Sequence, residues 1–220
     1  MPPRTPTTDQ PQRIVHCKDA IPWLEEHGPV EGASVITSLP DVSGLPKLSL
    51  DEWKAWFVGA AERCVNATPD DGVTIFYQTD IKVDGVWVDK GYLCHKAAEA
   101  AGAEMLWHKI FCRCELGEPA YGRPGYTHLL CFSRGVRDVV ARSYPDVFSS
   151  TGEMTWSRAM GLDACDLACR YVQSHTNSLT ILDPFCGKGS VLAAANKRGL
   201  DAVGVEVSKR RARKARGLTL

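Results

Sequence analysis

Apolar residues fall along this chain in two rhythms. Short continuous runs at 13–17, 33–37, 73–77, 180–183 and 202–205 are each bounded by turn residues, and a run without polar gaps suits a strand covered on both faces. Between them lie stretches with apolar residues at helical spacing, among them 21–26, 50–61, 91–101, 162–173 and 191–195. In the second of these the spacing puts Trp53, Trp56 and Phe57 in the core. Strand and helix alternate, which predicts a mostly parallel sheet with helices on both faces. Two more strands, 104–113 and 127–133, flank a glycine- and proline-rich loop at 117–126 and predict an antiparallel pair, for seven strands in all. The segment 78–90 has turn chemistry around Val83-Asp84-Gly85-Val86 yet carries aromatic and charged residues unusual for a connector, and 143–154 reads as an acidic and aromatic loop.

One strand, loop and helix unit carries chemistry. Thr180-Ile181-Leu182-Asp183 leads into Pro184-Phe185-Cys186-Gly187-Lys188-Gly189-Ser190, and an alanine-rich helix begins at once. Glycines in such a turn let the chain reverse sharply and let a ligand approach without a Cβ in the way, while the new helix offers unpaired N–H groups. The spacing matches neither a phosphate loop nor the three-glycine dinucleotide turn. The next strand ends at Glu206, and an acid there can accept both ribose hydroxyls of a nucleoside cofactor. An acid just past the first strand, Asp19, sits where a cofactor pocket opens at the carboxyl edge of a sheet.

The loop from Asp183 to Ser190 resembles the S-adenosylmethionine loop of class I methyltransferases that modify exocyclic base amines, written Asp-Pro-Phe-x-Gly-x-Gly-Thr. In the usual order that loop comes first. Here it follows Ser38-Leu39-Pro40-Asp41, so the chain resembles a circularly permuted member of the amino-methyltransferase group over nearly all of residues 13–217. The resemblance implies a single Rossmann-like α/β methyltransferase domain at 13–220 after a flexible arm at 1–12, with S-adenosylmethionine as cofactor. It implies a cofactor site formed by Asp19 (the adenine-side acid), Ala20, Thr37, Trp156, Ser157, Arg158, Asp183, Pro184, Phe185, Cys186, Gly187, Gly189, Ser190 and Glu206 (the ribose acid). Ser38, Leu39, Pro40 and Asp41 correspond to the catalytic loop.

That loop departs from the family pattern, which is Asp, Asn or Ser, then Pro-Pro, then an aromatic that stacks on the flipped base. Leu39 replaces the first proline and Asp41 the aromatic. Stacking then falls to another residue, with Tyr77, Trp87 and Trp156 the candidates, or the acceptor is not a flipped base. Ser38 and the Leu39 or Pro40 carbonyl would accept the N–H bonds of an amine; Asp41 takes a proton, holds a cation or caps a turn. Lys82, Lys90, Arg123 and Arg158 lie at the loop edge, as surface charges or phosphate contacts.

Composition narrows the picture further. The 220 residues are 44% hydrophobic, enough for one globular domain, and contain neither a membrane-length apolar run nor a signal-peptide core, so a cytoplasmic protein is expected. Nine cysteines, an odd number mostly within apolar runs, predict reduced thiols; neither Cys112-x-Cys114 nor Cys165-x-x-x-Cys169 has zinc-ligand spacing, and no metal is expected. Net charge is zero, but the stretch 209–216 is mostly basic. That basic end and the lack of a large insert for reading a DNA sequence favour RNA as acceptor and argue against restriction-type specificity. Methylation of a protein side chain or small metabolite, and a non-catalytic subunit supporting a partner, remain the other readings. Neither a homodimer nor a required protein partner is legible.

Overall fold

A computed structural model describes residues 10–138 and 145–220. Most of the expected arm at 1–12 and the start of the 143–154 loop lie outside the described residues. In chain order the elements are β1 (Arg13–His16), α1 (Ala20–His27), β2 (Ala33–Thr37), α2 (Leu50–Asn66), β3 (Thr74–Gln78), β4 (Ile81–Val83), β5 (Val86–Val88), α3 (Lys90–Ala100), β6 (Glu104–Cys112), β7 (Tyr126–Ser133), β8 (Val147–Phe148), α4 (Leu162–His175), β9 (Thr180–Asp183), α5 (Ser190–Lys197), β10 (Asp201–Val205) and α6 (Lys209–Gly217).

The helices start where their sequences supply caps. Asp19 accepts the Ile21 amide at the head of α1, and Ser49 and Glu52 form a reciprocal capping box at the head of α2. One face of the sheet is covered by α1, α2 and α3, through residues such as Trp53, Phe57 and Leu93. The other is covered by α4, α5 and α6, through residues such as Ala168, Leu192 and Ala212. Strands covered on both sides need unbroken apolar runs, which is why β2 and β3 are buried along their whole length.

The main sheet runs in the order β1-β10-β9-β2-β3-β7-β6-β8, and β7 is the strand that opposes the rest. The mostly parallel sheet and the antiparallel β6–β7 pair agree with the sequence reading. The count of seven strands does not: among the described residues the sheet has eight. The extra strand, β8, is two residues long and lies at the edge, paired with Ile110 and Phe111, where the Phe148 ring stacks on Phe111 at 4.5 Å between centroids. So short a strand leaves no periodicity to detect.

The segment 78–90 is likewise more than a turn. It folds as a two-stranded ribbon, β4–β5, closed by Asp84 and Gly85, both at positive φ, the combination that a tight hairpin turn demands.

Candidate active site

Strands β9 and β2 are neighbours at the middle of the sheet, and the chain leaves them in opposite directions. From β9 it crosses through α5 to β10 on one side; from β2 it crosses through α2 to β3 on the other. A crevice opens outside the carboxyl ends of strands where their order reverses in this way. A cavity of about 340 Å³ lies there, walled by the glycine turn after β9, the 38–41 loop after β2, the ends of β1 and β10, and the loop that precedes α4.

Asp183 ends β9 under the floor of this cavity. It is buried, and its Oδ1 accepts from Thr37 Oγ1 at 2.6 Å and from the Phe185 amide at 3.2 Å. Burial pushes its carboxyl up to about 7, against the pull of those two hydrogen bonds. Thr37 does not line the cavity; its part is to hold Asp183 across the two diverging strands.

The two glycines of the turn are not equivalent. Gly187, at φ 56°, lines the cavity, and a Cβ there would come within 2.9 Å of the Trp156 ring. Lys188 Nζ sits 4.7 Å from the centre of that ring, a cation over the face of the indole. Gly189, expected in the cofactor site, does not line the cavity. At φ 89° it is the N-cap of α5, and a Cβ there would lie 2.8 Å from Ala215 Cα, so its bareness serves the packing of α5 on α6.

Pro184, Phe185, Cys186 and Ser190 complete this wall, Ser190 Oγ lying 2.6 Å from Thr155 Oγ1. Burial pushes the Cys186 thiol well up, which keeps it protonated and inert.

At the β1–β10 side the cavity ends in acids. Glu206 is buried, accepts the Ser208 amide at 2.7 Å and lies 3.5 Å from Arg211 Nη1. Asp19 and Ala20 line the same end, with Asp19 Oδ1 committed to capping α1. Ser157 and Arg158 line the cavity beside Trp156.

The opposite side is cationic. Ser38, Leu39, Pro40 and Asp41 all line it, with Lys90, Arg113 and Arg123. Asp41 pairs through Oδ1 with Lys90 Nζ and through Oδ2 with Arg123 Nη2 at 3.3 Å. Lys90 is buried along its side chain, and Asp41 is its counter-ion; the Asp41 side chain makes no capping hydrogen bond in the short 3₁₀ turn that follows. Both carboxylate oxygens of Asp41 are thus engaged by cations. The Pro40 carbonyl is also taken, by Trp53 Nε1 at 3.3 Å, leaving Ser38 and Leu39 as the loop's acceptors for an amine.

The aromatics need reassigning. Trp53 and Phe57 are core residues as expected, but Trp56, read as core, is only half-buried and lines the cavity, with Phe185 edge-on to it at 6.1 Å. The remaining signal for Trp56 is its place at the margin of the stripe formed by 53, 57, 60 and 64. Of the three stacking candidates, Tyr77 and Trp156 line the cavity and Trp87 does not; Trp156 lies against the glycine turn. Arg113 was missed because a single arginine at a strand end carries no pattern.

Beside the cationic end, Asp80, Asp89 and His128 bring three ligand-type atoms within 4.8 Å of one another. Those atoms have other work. Asp80 accepts from the Lys90 amide and Trp87 Nε1 and pairs with His128 Nε2, and Asp89 caps α3. Burial alone would raise the Asp80 carboxyl, but these hydrogen bonds and His128 outweigh it and hold it below the usual range.

No protein-family model and no curated protein matches the sequence. Solved structures do match the fold. The candidate DNA modification methylase TTHA0409 of Thermus thermophilus, complexed with S-adenosyl-L-methionine, is 19% identical with a TM-score of 0.70, over 92% of this chain and 91% of its own. The cytosine-N4-specific PvuII DNA methyltransferase is 14% identical with a TM-score of 0.71, over 96% and 90%. The M1.HpyAVI complex with the same cofactor is 11% identical with a TM-score of 0.63, over 93% and 97%. The chain has the α/β methyltransferase fold of these proteins, with the glycine-turn strand late in the sequence.

Proposed function

We propose that this chain is an S-adenosylmethionine-dependent methyltransferase acting on an exocyclic amine of a nucleic-acid base. The observation that carries this reading is the cavity at the sheet's switch point, where the glycine turn and the 38–41 loop share one wall system, with Glu206 and Asp19 at one end and Lys90, Arg113 and Arg123 at the other. A nucleoside sulfonium suits the donor set at one end: Glu206 and Asp19 for the ribose and adenine, and the Gly187–Trp156 wall for the rest. When bound, the cofactor supplies an already activated methyl group, so the residues' work is alignment, which contributes roughly 7–11 kcal/mol to lowering such a barrier.

Ser38 Oγ and the Leu39 carbonyl accept the N–H bonds of the amine and aim its lone pair. Trp56 and Tyr77 offer the flat apolar contact that the 38–41 loop lacks. Lys90, Arg113 and Arg123 make that end suited to a phosphate-bearing acceptor, and Asp41 keeps the buried Lys90 charge compensated until one arrives.

DNA is the better-supported acceptor. TTHA0409 and PvuII are DNA methylases by name, and the basic helix that favoured RNA gives no support on geometry: α6 packs on β1, the edge strand at the acidic end, where Arg211 pairs with Glu206 and Arg216 donates to the Val15 carbonyl. Titration calorimetry tests the cofactor half of the proposal. Binding of S-adenosylmethionine is expected, weakened about tenfold or more by Glu206→Ala through loss of charged hydrogen bonds. No heat of binding at millimolar cofactor overturns it.

A further inference from the structure

The β4–β5 ribbon holds a tryptophan in an unusual way. The ring of Trp87 is half exposed, at 49%, yet its indole N–H donates to Asp80 Oδ2 at 3.2 Å, and Asp80 is itself only 1% exposed. An exposed indole without such a tether samples several rotamers; this one has its plane fixed from beneath. The Tyr126 hydroxyl reaches the same carboxylate oxygen at 3.5 Å, and His128 Nε2 at 3.0 Å. Val86 and Tyr92 add exposed apolar surface nearby in sequence.

The ribbon is also wired to the cavity. The Lys90 amide donates to Asp80 Oδ1 at 2.8 Å, while the Lys90 ammonium reaches Asp41 in the cavity wall. Two short links therefore separate the fixed indole from the acceptor end. Cations flank the path: Lys82 stands directly opposite Trp87 in the ribbon register, and Arg113 and Arg123 line the cavity end. The acid closest in sequence, Asp89, has one carboxylate oxygen engaged in capping α3.

We propose, resting on the reading of the chain as a base methyltransferase, that Trp87 is a stacking platform for an unpaired nucleotide of single-stranded DNA flanking the target base. A duplex hides the faces of its bases, whereas a single strand offers them, and an aromatic ring beside a cationic groove is the general solution for holding one. Lys82, opposite Trp87, and Arg123, at the cavity end, are the cations available to an anionic backbone whose base rests on the indole. Asp80 is a positioning residue that sets the plane of the ring.

Fluorescence anisotropy with a short labelled single-stranded DNA, its duplex, and the RNA of the same sequence tests this, with methyl transfer measured alongside. The single-stranded DNA is expected to bind tightest. Trp87→Ala should weaken it about fivefold or more and raise KM with kcat little changed, Trp87→Phe, which keeps a ring but loses the N–H tether to Asp80, should recover only part of the loss, and neither should alter S-adenosylmethionine affinity. Equal binding by Trp87→Ala and the parent protein overturns the platform, as does a duplex bound as tightly as the single strand, or RNA bound more tightly than DNA. The base-methyltransferase reading fails separately: it falls if single-stranded DNA binds through Trp87 but takes up no methyl group.

Discussion

Thr37 Oγ1 donates to Asp183 Oδ1 at 2.6 Å, joining the ends of the two strands from which the chain departs in opposite directions. That hydroxyl and the Phe185 amide are the two donors that hold the acid beginning the glycine turn. Thr37→Val removes the donor and leaves a buried carboxylate oxygen short of a partner. A loss of about 1–3 kcal/mol is expected, measured by urea unfolding.

The same acid gives the ligand-free protein a pH signature. The Asp183 carboxyl sits at about 7 in the folded chain against an ordinary value of 3.8, so the folded state holds the proton over that interval and the unfolded state does not. Its contribution to stability is fully present below pH 3.8 and is lost as pH rises through 7. Asp183→Asn has no such titration. The melting temperature of the parent protein minus that of the variant should therefore fall by several degrees between about pH 5 and pH 8, as scanning calorimetry can follow; a constant difference contradicts the assignment.

Gly187 and Gly189 separate stability from binding within one turn. Gly189→Ala forces a side chain into positive φ and against Ala215 and should cost about 2 kcal/mol or more, a fall of roughly 5 °C in Tm. Gly187→Ala presses on the Trp156 ring, which can swing away, so it should cost less stability and weaken cofactor binding about tenfold, by calorimetry.

Asp41 and Lys90 form a pair in which one partner is buried. Asp41→Ala strands the Lys90 charge and should destabilise by about 3 kcal/mol, whereas the double change Asp41→Ala with Lys90→Met should restore most of that loss. A thermal-denaturation cycle over the four proteins reads the coupling. If Asp41 were instead the catalytic base, the double variant would recover stability with no methyl transfer at any pH.

The sequence made the middle of the sheet legible and the acceptor side much less so. The glycine turn and Glu206 could be read because each lies at the end of an unbroken apolar strand, where burial on both faces leaves a strong pattern; the permuted order followed from the family resemblance. Asp19, Trp156, Ser157 and Arg158 followed from the family resemblance, and all four line the cavity. Thr37 and Gly189 were read as cofactor residues but serve beneath and behind the turn, a distinction set by contacts with Asp183 and Ala215 that lie far off in sequence. The acceptor end depends on Lys90, at the start of α3, and on Arg113 and Arg123, at the two ends of the β6–β7 connection, which meet only through that antiparallel return. The basic run in α6 misled for the opposite reason: local charge is conspicuous, but the edge of the sheet on which it falls is not written locally.

The central claim is tested most directly by incubating the purified protein with methyl-labelled S-adenosylmethionine and DNA, then digesting the DNA to nucleosides and identifying the labelled one by mass spectrometry. Label on an exocyclic amine, abolished by Gly187→Ala with Glu206→Ala and strongly reduced by Ser38→Ala, is the result this account predicts. Label confined to protein or a small metabolite, or no transfer to DNA from a protein that binds the cofactor, would contradict it.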